Sequence, residues 1–61
     1  MDQALLRVEE VARVINMGRA KTAAMIADGT IPSFKIGRSR RVHPDQLRRW
    51  MDEQAGIDRS N

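Results

Sequence analysis

The chain has 61 residues, no cysteine, and eleven basic against eight acidic side chains, for a formal net charge of +3. One small core is all that this length can bury, so a second domain and a deep catalytic pocket are excluded. Disulfides and thiolate zinc sites are excluded by composition, and no apolar run approaches the roughly 20 residues of a membrane span.

The charges are segregated. Gly29 to Pro44 contains no acid but carries Lys35, Arg38, Arg40 and Arg41, and Arg48 and Arg49 follow shortly after. The acids gather at Glu9 and Glu10 and again at Asp52, Glu53 and Asp58. A clustered basic stretch of this kind is the electrostatic footprint of a polyanion partner, or else a solvated basic surface. The opening "MDQALLR" has none of the regions of a signal peptide, and together with the absence of cysteine it points to a reducing, cytoplasmic location. The first four residues and those after Gly56 are expected to be loose, leaving an ordered core of about 5–55 in a single domain spanning 1–61.

In chain order, "VEEVARVIN" places Val8, Val11, Ala12 and Ile15 at i, i+3, i+4 and i+7, which predicts an amphipathic helix from Val8 to Asn16. Glu9 and Glu10 suit its first turn, whereas Arg7 is a poor residue for the N-cap. Asn16 and Gly18 punctuate its end, and Met17 between them is expected to plug the core.

A second helix is predicted from Arg19 to Asp28, stopped by Gly29. Thr22, Met25 and Ile26 share its inner face, and Ala20, Ala23, Ala24 and Ala27 share the opposite one. Two short helices joined by a tight glycine-containing turn form a helix-turn-helix unit. The alanines support helicity, face a protein neighbour, or let a large partner approach closely.

In "IPSFKIGRSRRVHP" Phe34 and Ile36 alternate with polar residues. This predicts a hairpin that turns at Gly37-Arg38-Ser39 and returns from Arg40 to His43. Such a hairpin is marginal alone, so Phe34, Ile36 and Val42 are expected to lie against the helices. The last helix is predicted from Pro44 to Gln54, with Pro44 and Asp45 as start signals and Leu47, Trp50 and Met51 as its buried stripe. Gly56 ends it, and Ile57 is expected to pack back on the last turn. His43 ends the strand or caps this helix. Without a second ligand cluster it makes no metal site, and no nucleophile and base can be assembled around it, so neither a cofactor nor an enzyme is expected.

From Leu6 to Met51 the sequence resembles the excisionase-family DNA-binding domains, which are MerR-like winged helix-turn-helix modules. The likeness is carried by "VEEVA", by "DGTIPSFKIGRSRRV" and by "HPDQLRRW", in that order and spacing. It departs from the pattern at Arg7, where Ser or Thr is usual, and at Thr22-Ala23-Ala24, where larger or more polar residues are usual.

The resemblance implies a mainly α fold with a two-stranded wing. It also implies double-stranded DNA as partner, repeated sites near an attachment site, DNA bending, and help to a site-specific recombinase (an integrase) in excising a mobile element. It places the second helix in the major groove, with Arg19, Ala20, Lys21, Ala23 and Ala24 facing the DNA. It places the wing residues Arg38, Ser39, Arg40 and Arg41 along the backbone or minor groove.

Lys35 has the charge and reach to join the wing on phosphates. Arg48 and Arg49 reach the backbone or only keep the surface soluble. Alanine touches thymine methyls but offers no donor or acceptor, so Arg19 is the best candidate for reading a base. Adjacent copies on DNA are expected to touch head to tail, with Asp52-Glu53 or the C-terminal residues of one against the basic wing of the next. Two other readings stay open: a small MerR-like transcriptional regulator, and a protein-interaction module that uses the alanine face.

Overall fold

A computed structural model of the chain describes residues 4–56. Three helices and one hairpin follow in the order α1 (Val8–Ile15), α2 (Arg19–Ala27), β1 (Phe34–Ile36), β2 (Ser39–Arg41) and α3 (Pro44–Ala55). The expected looseness of the first three residues and of 57–61, and the packing of Ile57, lie outside the described residues.

Helix α1 starts without a capping side chain from Arg7, whose guanidinium has no acceptor to offer the free amides. Half of a capping box compensates, because Glu10 Oε1 accepts the Arg7 N–H at 2.8 Å. The helix ends one residue earlier than expected. Asn16 takes the left-handed conformation (φ 59°), and its N–H caps the Ala12 and Arg13 carbonyls. Met17 and Gly18 then lead directly into α2, where the Thr22 hydroxyl donates to the Gly18 carbonyl at 2.8 Å. This bond satisfies the one buried polar side chain among the described residues.

The core consists of Val11, Ile26, Ile31, Val42 and Leu47, each 2 % exposed or less. Leu6, Val8, Ile15, Met25, Trp50 and Met51 pack around them, half-buried. The predicted inner faces of all three helices are therefore correct. Two expectations about packing fail.

Met17 does not plug the core. It sits half-buried at the rim of a shallow groove with Val14, Ile15, Trp50 and Met51. Phe34 and Ile36 do not lie against the helices, being 39 % and 51 % exposed. Ile31, in the loop after α2, takes the place expected of them at 0 % exposure. It is held there as its N–H donates to the Met25 carbonyl at 3.1 Å.

The hairpin is shorter and one residue earlier on its return than expected. Phe34 pairs with Arg41, Lys35 with Arg40 and Ile36 with Ser39, leaving Gly37-Arg38 as a two-residue turn. Gly37 has φ 62°, and among the described non-glycine residues only Asn16 has a positive φ. A glycine of this kind at the first central position, followed by a residue of negative φ, is the pattern of the II′ turn that suits strand twist.

Val42 then leaves the hairpin and pairs with Leu6. The Leu6 N–H donates to Val42 at 2.8 Å and the Val42 N–H to Leu6 at 3.0 Å. His43 caps α3 through Nδ1, which accepts the Asp45 N–H at 3.1 Å. The result is a winged helix-turn-helix: α1 and α2 packed together, a two-stranded wing, and a closing helix.

The loop between α2 and Ile31 is set by one carboxylate. Asp28 accepts the Thr30 N–H at 2.9 Å and is also bonded by the Thr30 hydroxyl at 2.6 Å. The hydroxyl bond, then the amide bond, hold the Asp28 carboxyl below its ordinary range. A depressed carboxyl stabilises the folded chain above its unfolded pKa, and this contribution is lost as pH falls through the folded value. Thermal melts taken from neutral pH down through the carboxylate range are therefore expected to lose stability at the acid end. Asp28→Asn should make that acid limb shallower.

Candidate nucleic-acid interface

An open cleft of about 440 Å³ is lined by Arg7, Val8 and Glu9 at the start of α1, Arg19 at the start of α2, and Ser39, Arg40 and Arg41 of β2. Each wall follows from local structure. The packing of α1 on α2 brings the first turn of α1 within side-chain reach of the start of α2, Glu9 to Arg19. The Leu6–Val42 pairing holds β2 against the entry to α1. Four arginines from three separate elements thus meet around one hollow, with Glu9 the single carboxylate among its lining residues.

The first turn of α2 contains no acid, so the positive end of its dipole adds to Arg19 and Lys21. Arg19 is not idle. Its Nη2 lies 3.5 Å from Glu9 Oε2, with the two side chains 67 % and 53 % exposed. Glu9 is held below the usual carboxylate range, first by a hydrogen bond to its own backbone amide and further by the charges of Arg19 and Arg7, which outweigh desolvation. In the wing Arg40 donates to the Ser33 hydroxyl at 3.3 Å, and Arg41 donates to the Arg40 carbonyl at 3.0 Å.

The residues singled out in the sequence are placed in four groups. Arg19, Ser39, Arg40 and Arg41 share the cleft. Ala20, Lys21 and Ala24 are exposed along α2, while Ala23 is half-buried rather than fully on the outer face. Lys35 and Arg38 are exposed on β1 and at the tip of the wing, outside the cleft lining.

The pairing register puts Lys35 and Arg40 on one face of the wing, and Phe34, Ile36, Ser39 and Arg41 on the other. Arg48 and Arg49 stay apart from the cleft. They line hollows on α3, one with Asp45 and Asp52 and one, at Arg49, with Pro32, Gln46, Trp50 and Glu53. Acids flank both arginines there, so they are weaker candidates than their sequence position suggested.

Arg7 is the residue that sequence reasoning missed. It read as a defective helix cap, and only the folded chain shows that the same position borders α2 and the wing. Its departure from Ser or Thr at the cap was the available signal. Among the described residues no group of His, Asp or Glu is placed to hold a metal ion, and no helix is long and apolar enough to cross a membrane.

Residues 5–55 match the family described as "Helix-turn-helix domain". A stretch of 41 residues, 67% of the chain, is 49% identical to a protein of Saccharopolyspora erythraea named "Probable excisionase". The match spans 42% of that relative, less than half its length. No solved structure matches the chain.

Proposed function

The chain belongs to the helix-turn-helix domain family, and on that premise we propose that it binds double-stranded DNA as a MerR-like excisionase, a recombination directionality factor. The observation that carries this reading is the cleft lined by Arg7, Arg19, Arg40 and Arg41 beside the start of α2. The similarity to a protein named as an excisionase supports the recombination context.

Helix α2 enters the major groove through Ala20, Ala23 and Ala24, with Arg19 and Lys21 at its entrance. Arg7 and the basic residues of the wing neutralise phosphates, and these contacts fix register without reading sequence. Alanines contribute only apolar contact to thymine methyls. Specificity at one site is therefore modest, and repeated sites and DNA deformability supply the rest. Such a protein bends an attachment-site region and assists an integrase. Neighbouring copies touch head to tail, the acidic Asp52-Glu53 end of one against the basic wing of the next.

With roughly five phosphates neutralised, the logarithmic dependence of affinity on salt has a slope of about −4.5. Arg41→Ala is expected to make that slope shallower by about 0.9, uniformly across sequences. Titrations of one duplex at several salt concentrations check both figures.

The decisive experiment for the role is capture of fragmented host genomic DNA on the purified protein at about 0.15 M salt, where weak exposed charge contacts are screened. Enrichment of repeats beside an attachment site or an integrase gene is expected. Enrichment at promoters elsewhere would replace the excisionase reading by a regulator. No enrichment would turn the alanine face toward a protein partner.

A further inference from the structure

Within the cleft one contact runs against the binding of a polyanion. Glu9 is the single carboxylate among the lining residues, and it stands 3.5 Å from the arginine best placed to read a base. The carboxylate is anchored to α1 and the guanidinium to α2, so the pair spans the joint between the two helices. We propose that Glu9 is a positioning residue that withholds Arg19 from phosphates and releases it only to a base edge, which makes the Arg19 contact conditional on sequence. This rests on the DNA-binding reading above.

The physical reason is a competition between acceptors. A phosphate oxygen offers Arg19 one more exposed anion, much like the one it already has. Bringing that phosphate in also sets two negative charges side by side. Little is gained by the exchange, so on arbitrary DNA Arg19 stays on Glu9 while Arg7, Arg40 and Arg41 take the backbone. A guanine edge is different. It presents O6 and N7 as a neutral bidentate acceptor that matches the guanidinium fork. Transfer of Arg19 from Glu9 to guanine then costs only the loss of a weak, exposed pair and adds no like-charge repulsion.

The test uses a short duplex pool of random sequence, and the duplex that the same pool yields after selection on the wild-type protein. Glu9→Gln is expected to steepen the salt slope on the random pool by about 0.9, because the freed Arg19 takes one further phosphate. The affinity ratio between selected and random duplex should fall several-fold. Glu10→Gln is the charge control: it removes the same charge from the same helix turn, and its amide oxygen still accepts the Arg7 N–H. It should leave slope and ratio as in wild type. In an Arg19→Ala background, Glu9→Gln should no longer steepen the slope.

Equal effects of Glu9→Gln and Glu10→Gln would overturn the proposal, as would a steeper slope that persists without Arg19. So would an unchanged slope and ratio in Glu9→Gln, or a pool from which no sequence is enriched. Failure of the wild-type protein to bind any duplex in a salt-dependent way would instead overturn the DNA-binding reading beneath it. Thermal melts of each variant separate either result from unfolding.

Discussion

Ala24→Glu is expected to abolish binding to duplex DNA while leaving the fold intact. Ala24 is exposed near the middle of α2, and nothing in the core rests on it. Glutamate is a good helix former, so the substitution should change stability by no more than about 0.5 kcal/mol. In the complex, the new carboxylate would stand against the negative groove in place of a methyl group. Like charges brought together at an interface cost several kcal/mol, and about 3 kcal/mol is more than a hundredfold in affinity. Fluorescence anisotropy on a selected duplex and a thermal melt read the two halves of this expectation. Binding retained with a normal melt would take α2 out of the groove.

The second large effect is on stability. Ile31→Ala should leave the chain largely unfolded near physiological temperature. Ile31 is fully buried at the meeting of α1, α2 and α3 with Val11, Ile26, Val42 and Leu47. Truncating a buried isoleucine to alanine costs roughly 2–5 kcal/mol, transfer and cavity together. A core in a chain of this size rarely supplies more than about 3–5 kcal/mol in all. Phe34→Ala, which removes a larger side chain from a more exposed position, should by contrast lower the melting temperature only slightly. Circular dichroism melts of the two variants side by side make the comparison. If Phe34→Ala proves the more damaging, the wing is packed in a way that its exposure does not reveal.

The contrast between Ile31 and Phe34 marks where the sequence stops being legible. Helical periodicity located α1, α2 and α3 to within a residue or so, because a helix writes its buried face into spacings of three and four. Strand periodicity separated Phe34 and Ile36 from their polar neighbours correctly. It could not say that this face has nothing over it, since what covers a two-stranded wing is decided by elements elsewhere in the chain. Ile31 carried no periodicity at all; it is one residue in a loop, fixed by the Asp28–Thr30 turn and a bond to Met25.

The candidate interface divides along the same line. Clustering of Arg38, Arg40 and Arg41 was visible in the chain, and so was the position of Arg19 at the start of α2. The Glu9 contact that restrains Arg19 depends on α1 packing against α2, and the presence of Arg7 in the cleft on α1 and the wing being side by side. That neighbourhood rests on the Leu6–Val42 backbone pairing, which joins residues far apart in the chain and has no side-chain signature.

The same pairing sets an order of events during synthesis. Helices α1 and α2 are adjacent in the chain and rely on contacts local in sequence, so both have emerged before the wing is made. Leu6 is translated well before its partner Val42 and the core residue Leu47, which emerge only after the wing has been made. Until then the arginine from α1's entry and those of β2 have nothing to hold them together. A nascent chain therefore carries its basic residues as separate charges, and it acquires the joined cationic surface only once Val42 and Leu47 have emerged.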